Sequence, residues 1–177
     1  MRKTMRNIIR ITSIATTIAL IPISATSSAL TLPEQRTGDL DPLGTSRSNE
    51  ERSSGLSAEA NSAERSSPGS LVSITWSVKN EGGDHVDFNW PQGTSYMYNN
   101  STSYSGVTII NEGTKYHPLM DSNGECLCSG NTSLEMKNSL NPGEKVAYWS
   151  MFSVPSDVDT ITLEIPGFDP IEDIPIS

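Results

Sequence analysis

Residues 71–80, LVSITWSVKN, decide the fold class. Val72, Ile74, Trp76 and Val78 occupy every second position, with Ser73, Thr75, Ser77 and Lys79 between them. A period of two built from β-branched and aromatic side chains predicts a strand with one face buried and one wet. Asn80-Glu81-Gly82-Gly83, which follows, is turn chemistry. The alternation resumes in HVDFNW, with Val86, Phe88 and Trp90 ahead of Pro91.

The same rhythm of short strand and turn runs outward in both directions. Upstream, Leu56, Ala58 and Ala60 make a weak first alternation, closed by Ser67-Pro68-Gly69. Downstream, GVTIIN and TKYHPL flank Asn111-Glu112-Gly113, which predicts a hairpin. SLEMKNSL then leads into Asn141-Pro142-Gly143, and KVAYWSMFSV precedes DTITLEIP. No stretch keeps an uninterrupted 3.6-residue period long enough for more than one or two helical turns. About seven to eight strands separated by Gly, Pro and Asn turns predict an all-β antiparallel sandwich. In the last segment, IPGFDPIEDIPIS, Phe168, Ile171, Ile174 and Ile176 are too apolar to be left in water, while Pro170 and Pro175 exclude a central strand. This segment is expected along a sheet edge, closing the sandwich.

That domain occupies 56–177, and two different segments precede it. MRKTMRNIIR carries Arg2, Lys3, Arg6 and Arg10 and no acid; an apolar run follows over 11–23, and Ser27 and Ala29 are small enough for the −3 and −1 positions of a signal-peptidase site. Residues 1–29 read as a secretory signal peptide cleaved near Ala29. The apolar run falls short of the roughly 20 residues of a bilayer span, so no membrane attachment is expected after cleavage. Residues 30–55 lack any aromatic, Val or Ile and are dense in Ser, Gly, Pro and charge. They read as a disordered spacer, because they cannot bury enough apolar surface to offset the entropy of ordering. Every Trp, Tyr and Phe lies from Trp76 to Phe168, which places the core in the domain.

The formal net charge of −9 counts 12 Lys and Arg against 21 Asp and Glu, and four of the basic residues belong to the signal. Without them, 8 basic residues face 21 acids, a net of −13. Phosphate backbones repel such a chain and no basic cluster offers a local exception, which excludes nucleic acid as a partner class.

Cys126 and Cys128, in MDSNGECLCSGN, are the only cysteines. On a regular strand, residues two apart share a face with Cα atoms about 6.5–7 Å apart, at the upper edge of disulfide reach, so closure needs a pinched or turned backbone. Flanking Gly124 and Gly130 make such a turn feasible. Four readings stay open: a structural loop staple, free or intermolecular thiols, a readily reduced redox disulfide, and a metal pair completed by His117. A second candidate surface is NWPQGTSYMYNNSTSYSG, where Trp90, Tyr96, Tyr98 and Tyr104 stand among Asn, Ser and Gly. That is the composition of adaptable recognition loops, so these four are candidate ligand- or partner-binding residues; the bland alternative is that they cover an open end of the sandwich. Sequons begin at Asn99, Asn100 and Asn131 and mark exposed loops.

Catalytic signatures are missing. His85 and His117 fall on different predicted strands, and no nucleophile elbow, zinc-protease motif, P-loop or dinucleotide fingerprint occurs. Asp157, Asp159, Glu164, Asp169, Glu172 and Asp173 crowd the C-terminal segment without the spacing of a calcium loop and read as a solvated acidic face. No catalytic residue, metal or cofactor is expected.

VSITWSVKNEGG (72–83), DFNW (87–90), GVTII (106–110), KYHPL (115–119), CLCS (126–129), LNPG (140–143) and the closing VPSDVDTITLEIPGFDPIEDIPIS (154–177) together resemble a group of secreted actinobacterial proteins. Their domain is similar to the immunoglobulin-like fold of the mycobacterial immunogenic extracellular protein family. The resemblance covers roughly 56–177 and implies an immunoglobulin-like sandwich in an extracellular location. It transfers no catalytic residue, because such relatives are mostly described as domains of unknown role. The function expected is therefore a secreted, non-enzymatic interaction module for a protein or a cell-wall polymer. The alternative is a secreted redox-active or metal-handling protein centred on Cys126-Leu127-Cys128. Oligomeric state is not legible in the sequence.

Overall fold

A computed structural model describes residues 41–66, 69–93, 97–99, 101–130 and 136–177. Among these residues the strands are β1 (Gly44–Arg47), β2 (Leu56–Arg65), β3 (Leu71–Asn80), β4 (Val86–Asp87), β5 (Thr108–Asn111), β6 (Thr114–Tyr116), β7 (Ser139–Leu140), β8 (Lys145–Ser153), β9 (Thr160–Glu164) and β10 (Ile171–Pro175). A single 3-10 turn, Glu51–Ser53, is the one helical element among them. The strands pair antiparallel in two four-stranded sheets, β1-β2-β3-β8 and β10-β9-β5-β6, with β4 and β7 as a separate two-stranded ladder. The protein is an all-β sandwich, its core drawn from the inward faces of both larger sheets.

Strand β3 fills the centre of the first sheet as its pattern predicts: Val72, Ile74, Trp76 and Val78 are fully buried. Two polar positions are buried with them. Asn80 is fully buried because its side chain organises both flanking turns. Its Nδ2 donates to the carbonyls of Asp84 (2.7 Å) and Leu140 (3.1 Å), and its Oδ1 accepts from the Gly82 amide (2.9 Å). Ser77 is buried with its hydroxyl unpartnered. Strand β2 looks weak in sequence because of a bulge: the register slips between Ala60 and Ser62, so Ala58, Ala60 and then Ala63 face inward and the parity changes midway. Between β5 and β6, Glu112 and Gly113 both have positive φ (46° and 78°), the two-residue turn that matches the twist of a hairpin.

The indole of Trp76 is the hub of the core. Tyr148 lies 4.7 Å from it between ring centroids, Tyr104 5.7 Å and Phe88 6.1 Å. Its Nε1 donates to Ser150 Oγ at 3.3 Å. The phenols find carbonyls, Tyr104 OH donating to Phe88 (2.7 Å) and Tyr148 OH to Lys137 (2.8 Å). Buried aromatic rings in tilted and edge contacts of this kind carry much of a small domain's stability, and truncating one such ring costs about 3–5 kcal/mol. Burial pushes the Tyr104 phenol from 10.0 up to about 12 and raises Tyr148 further, with Tyr104 beside it adding to the shift.

Both ends of the domain are pinned across the two sheets. Part of the segment expected as spacer is strand: Gly44–Arg47 pairs with β2, Ser48 bridges to Phe168, and the Asp169 amide donates to the Arg47 carbonyl at 2.9 Å. Residues 44–55 thus belong to the domain, because a short polar segment gains order from backbone pairing with an open sheet edge rather than from apolar side chains. The segment expected as a signal peptide and the first part of the expected spacer, 1–40, lie outside the described residues. At the other end β10 occupies the edge of the second sheet beside β9, buries Ile171 and Ile174, and admits Pro175 because an edge strand leaves one row of amides unpaired. The chain then crosses over, and the Ser177 amide donates to the Ala63 carbonyl of β2 at 2.9 Å.

Two outcomes follow from this core. Ile174→Ala should cost about 2–5 kcal/mol, and a chain ending at Pro166 should lose its cooperative melt, both read by circular dichroism. The raised phenols set the alkaline limit. A folded pKa above the unfolded one gives stability that is full below pH 10 and lost as pH rises from 10 towards 12, so the melting temperature should fall over that window. At 295 nm, Tyr104 and Tyr148 should ionise only as the protein unfolds.

Candidate functional site

The cysteines form a disulfide, Cys126–Cys128, with Cα atoms 5.3 Å apart. That separation is shorter than a regular strand allows, and the surrounding loop supplies the pinch. Asp121 folds it: its Oδ1 accepts from the amides of Asn123 and Glu125, each at 2.8 Å. These hydrogen bonds, led by that from Glu125, hold the Asp121 carboxyl below its ordinary value. Gly124 completes the turn with φ +82°, where a Cβ would also come within 2.5 Å of the Asn99 amide nitrogen. Leaving the loop, the chain lies along the open edge of β8. The amide of Leu127 donates to Leu119 (2.7 Å), that of Leu119 to Met151 (2.7 Å), and that of Met151 to Leu127 (2.9 Å). Three peptide units therefore close a ring over the edge, while the Ser129 amide caps Trp149 at 2.8 Å.

Both sulfurs face inward. Cys126 and Cys128 are 8% and 3% exposed and form a small second core with Tyr98. With both sulfurs in the bridge, no thiolate pair is left for a metal with His117.

Three of the four aromatic residues expected to line a recognition loop are described, and each packs against other parts of the fold. Tyr104 is fully buried at the core, and Tyr98 covers the disulfide while its hydroxyl donates to the Pro118 carbonyl at 2.5 Å. Burial raises the Tyr98 phenol. Trp90 packs edge-on against Phe88 at 4.9 Å, donates Nε1 to the Pro166 carbonyl at 2.8 Å, and carries the Arg52 guanidinium 5.7 Å from its ring centre. These three rings anchor an irregular loop to the core, because apolar rings in a loop gain more from burial than from water. Tyr96 and the sequon positions Asn100 and Asn131 lie outside the described residues. His85 is exposed in a turn beside Asp87 and Asn141.

A groove of about 510 Å³ that sequence reading did not single out lies on the outward face of the second sheet, at one end. Its floor is Thr108 of β5, Lys115 of β6 and Glu164 of β9, and its rim includes Asn49, Glu50 and His117. The Glu164 carboxylate holds Lys115 Nζ at 2.5 Å and accepts from Thr108 Oγ1 at 3.0 Å. Thr108 and Glu164 are far apart in the chain and meet only because β5 pairs with β9. No local motif marks them. A groove with a self-neutralised ion pair at its floor offers polar contacts and no concentrated charge.

The chain matches no protein-family model and none of the curated proteins compared with it. Among solved structures it is similar to the crystal structure of a functionally unknown protein from Listeria monocytogenes EGD-e, with TM-score 0.37 and 11% sequence identity over 77% of this chain and 85% of that one.

The disulfide closes a ring of three residues, for which chain entropy predicts a contribution of about 1.6 kcal/mol. Replacing both Cys126 and Cys128 by Ala should leave a folded domain whose melting temperature falls by roughly 5–10 °C. A complete loss of the melt would show instead that the bridge is needed for folding.

Proposed function

We propose that this chain is an exported, non-enzymatic interaction module: an immunoglobulin-like domain sent out by the signal at residues 1–29 and binding a protein or cell-wall polymer. The observation that carries the reading is the state of its two cysteines. Both are spent on one bridge, and both sulfurs are buried beneath Tyr98. Persistent structural disulfides belong to oxidising compartments. The charged, then apolar, then small-residue order of the first 29 residues points the same way. So does the resemblance to secreted actinobacterial proteins.

The burial of the sulfurs weighs for a staple over a redox-active pair, since exchange requires a thiolate to reach a sulfur atom. The acidity of the domain supports solubility outside the cell and disfavours polyanionic partners.

Expression of the full chain in an actinobacterial host gives the test. The protein should be recovered from the medium or wall fraction, with an N-terminus near Leu30 and no titratable thiol in denaturant. Recovery inside the cell, uncleaved and with two free thiols, would overturn the reading.

A further inference from the structure

We propose that the outward face of the first sheet carries a saccharide-binding site centred on Trp149, an assignment that rests on reading the domain as an extracellular interaction module. Strand β8 turns Tyr148, Ser150 and Phe152 into the core. Trp149 consequently stands on the opposite face, partly exposed and outside the core cluster. The register sets its neighbours: Trp149 lies beside Thr75, which lies beside Ser62, and one rung along Ala147, Ser77 and Glu59 are aligned.

The bulge in β2 supplies the polar half of the site. Asn61 is the extra residue, and its Nδ2 donates to Glu59 Oε2 at 3.4 Å. The same carboxylate oxygen is paired with Lys145 Nζ, with Lys145 and Glu59 25% and 17% exposed. The Asn61 amide and the Glu59 carboxylate, with the Lys145 ammonium paired to it, thus lie two strands, about 10 Å, from the indole on one face of the sheet.

Two polar atoms in this cluster lack partners, Ser77 Oγ and Asn61 Oδ1, although Ser77 is fully buried and Asn61 only 7% exposed. A buried polar atom without a partner is costly, and Asn61 Oδ1, an acceptor, needs a donor. The ligand must therefore bring donors. It need not bring charge, because Glu59 and Lys145 neutralise each other. It must also present an apolar face to the indole. A pyranose meets all three conditions, with hydroxyls on its rim and C–H groups on its faces, and a disaccharide spans the distance. Ring hydroxyls reach Asn61 and Ser77 once the side chains that bury them shift, while the Glu59–Lys145 pair stays intact.

Calorimetric titration of the purified protein with cellotetraose and with chitotetraose tests the site. Saturable binding is expected with at least one of them, weakened about 30-fold by Trp149→Ala and about tenfold by Asn61→Ala. Trp149→Phe, which keeps a ring there, should fall between wild type and Trp149→Ala, and melting curves confirm that each variant is folded. Binding that survives both alanine substitutions, or no heat from either sugar at millimolar concentration, would overturn the assignment. Trp149-dependent capture of a protein with no response to either sugar would also overturn it, while leaving the interaction-module reading intact. Intracellular protein with free thiols would sink that broader reading whatever the sugars do.

Discussion

The packing of Trp76 against Tyr148, Tyr104 and Phe88 is the contact on which the rest of the domain depends. One ring comes from β3 and one from β8, while Phe88 and Tyr104 come from the connection between β4 and β5. A connection that long would otherwise be free to move. Here it is held at both ends by rings in the core and by the Tyr104 hydrogen bond to the Phe88 carbonyl. Among the described rings of this connection, Phe88 and Tyr104 are its attachment to the core.

Edges are the second constraint. A sandwich of two open sheets has four, and each exposes a row of backbone groups able to pair with another chain. One edge of the first sheet is β1, tied onward to Phe168, and the other is β8, covered near Met151 by the ring of peptide bonds through Leu119 and Leu127. The disulfide sits inside that cover. Its place suggests a local task, shaping residues 126–128 so that the Leu127 amide and carbonyl serve two different neighbours, rather than a global one. On the second sheet, β10 is irregular at Asp173 (φ 55°) and ends in Pro175, features that discourage further pairing.

The outward faces of the two sheets differ in kind. On the second, Lys115, Thr108 and Glu164 satisfy one another at the floor of a groove. On the first, Trp149 lies beside Thr75, between Ala147 and Met151 of its own strand, and two polar atoms farther across the same face, Ser77 Oγ and Asn61 Oδ1, remain without partners. Fully paired polar surface is quiet, whereas unpaired polar groups on the same face as an aromatic ring leave free energy for a ligand to recover.

By itself the sequence determined the all-β class, the position of β3 and its buried face, the Asn-Glu-Gly and Asn-Pro-Gly turns, and the C-terminal segment as an edge. All of these follow from period-two patterning and turn chemistry, which are local. It also showed that a bridge between the two cysteines needs a pinched backbone, without choosing among their fates. Only the tertiary structure decided that residues 44–47 are a strand, since their order comes from the edge of β2 and not from their own side chains. It decided that Tyr98 and Tyr104 are buried and that Trp90 packs against Phe88, because a loop's composition says nothing about which rings a core will accept. It decided, finally, that Asn61, Ser77 and Trp149 share a face. They sit on three strands, and a bulge and two registers bring them together, which no local pattern encodes.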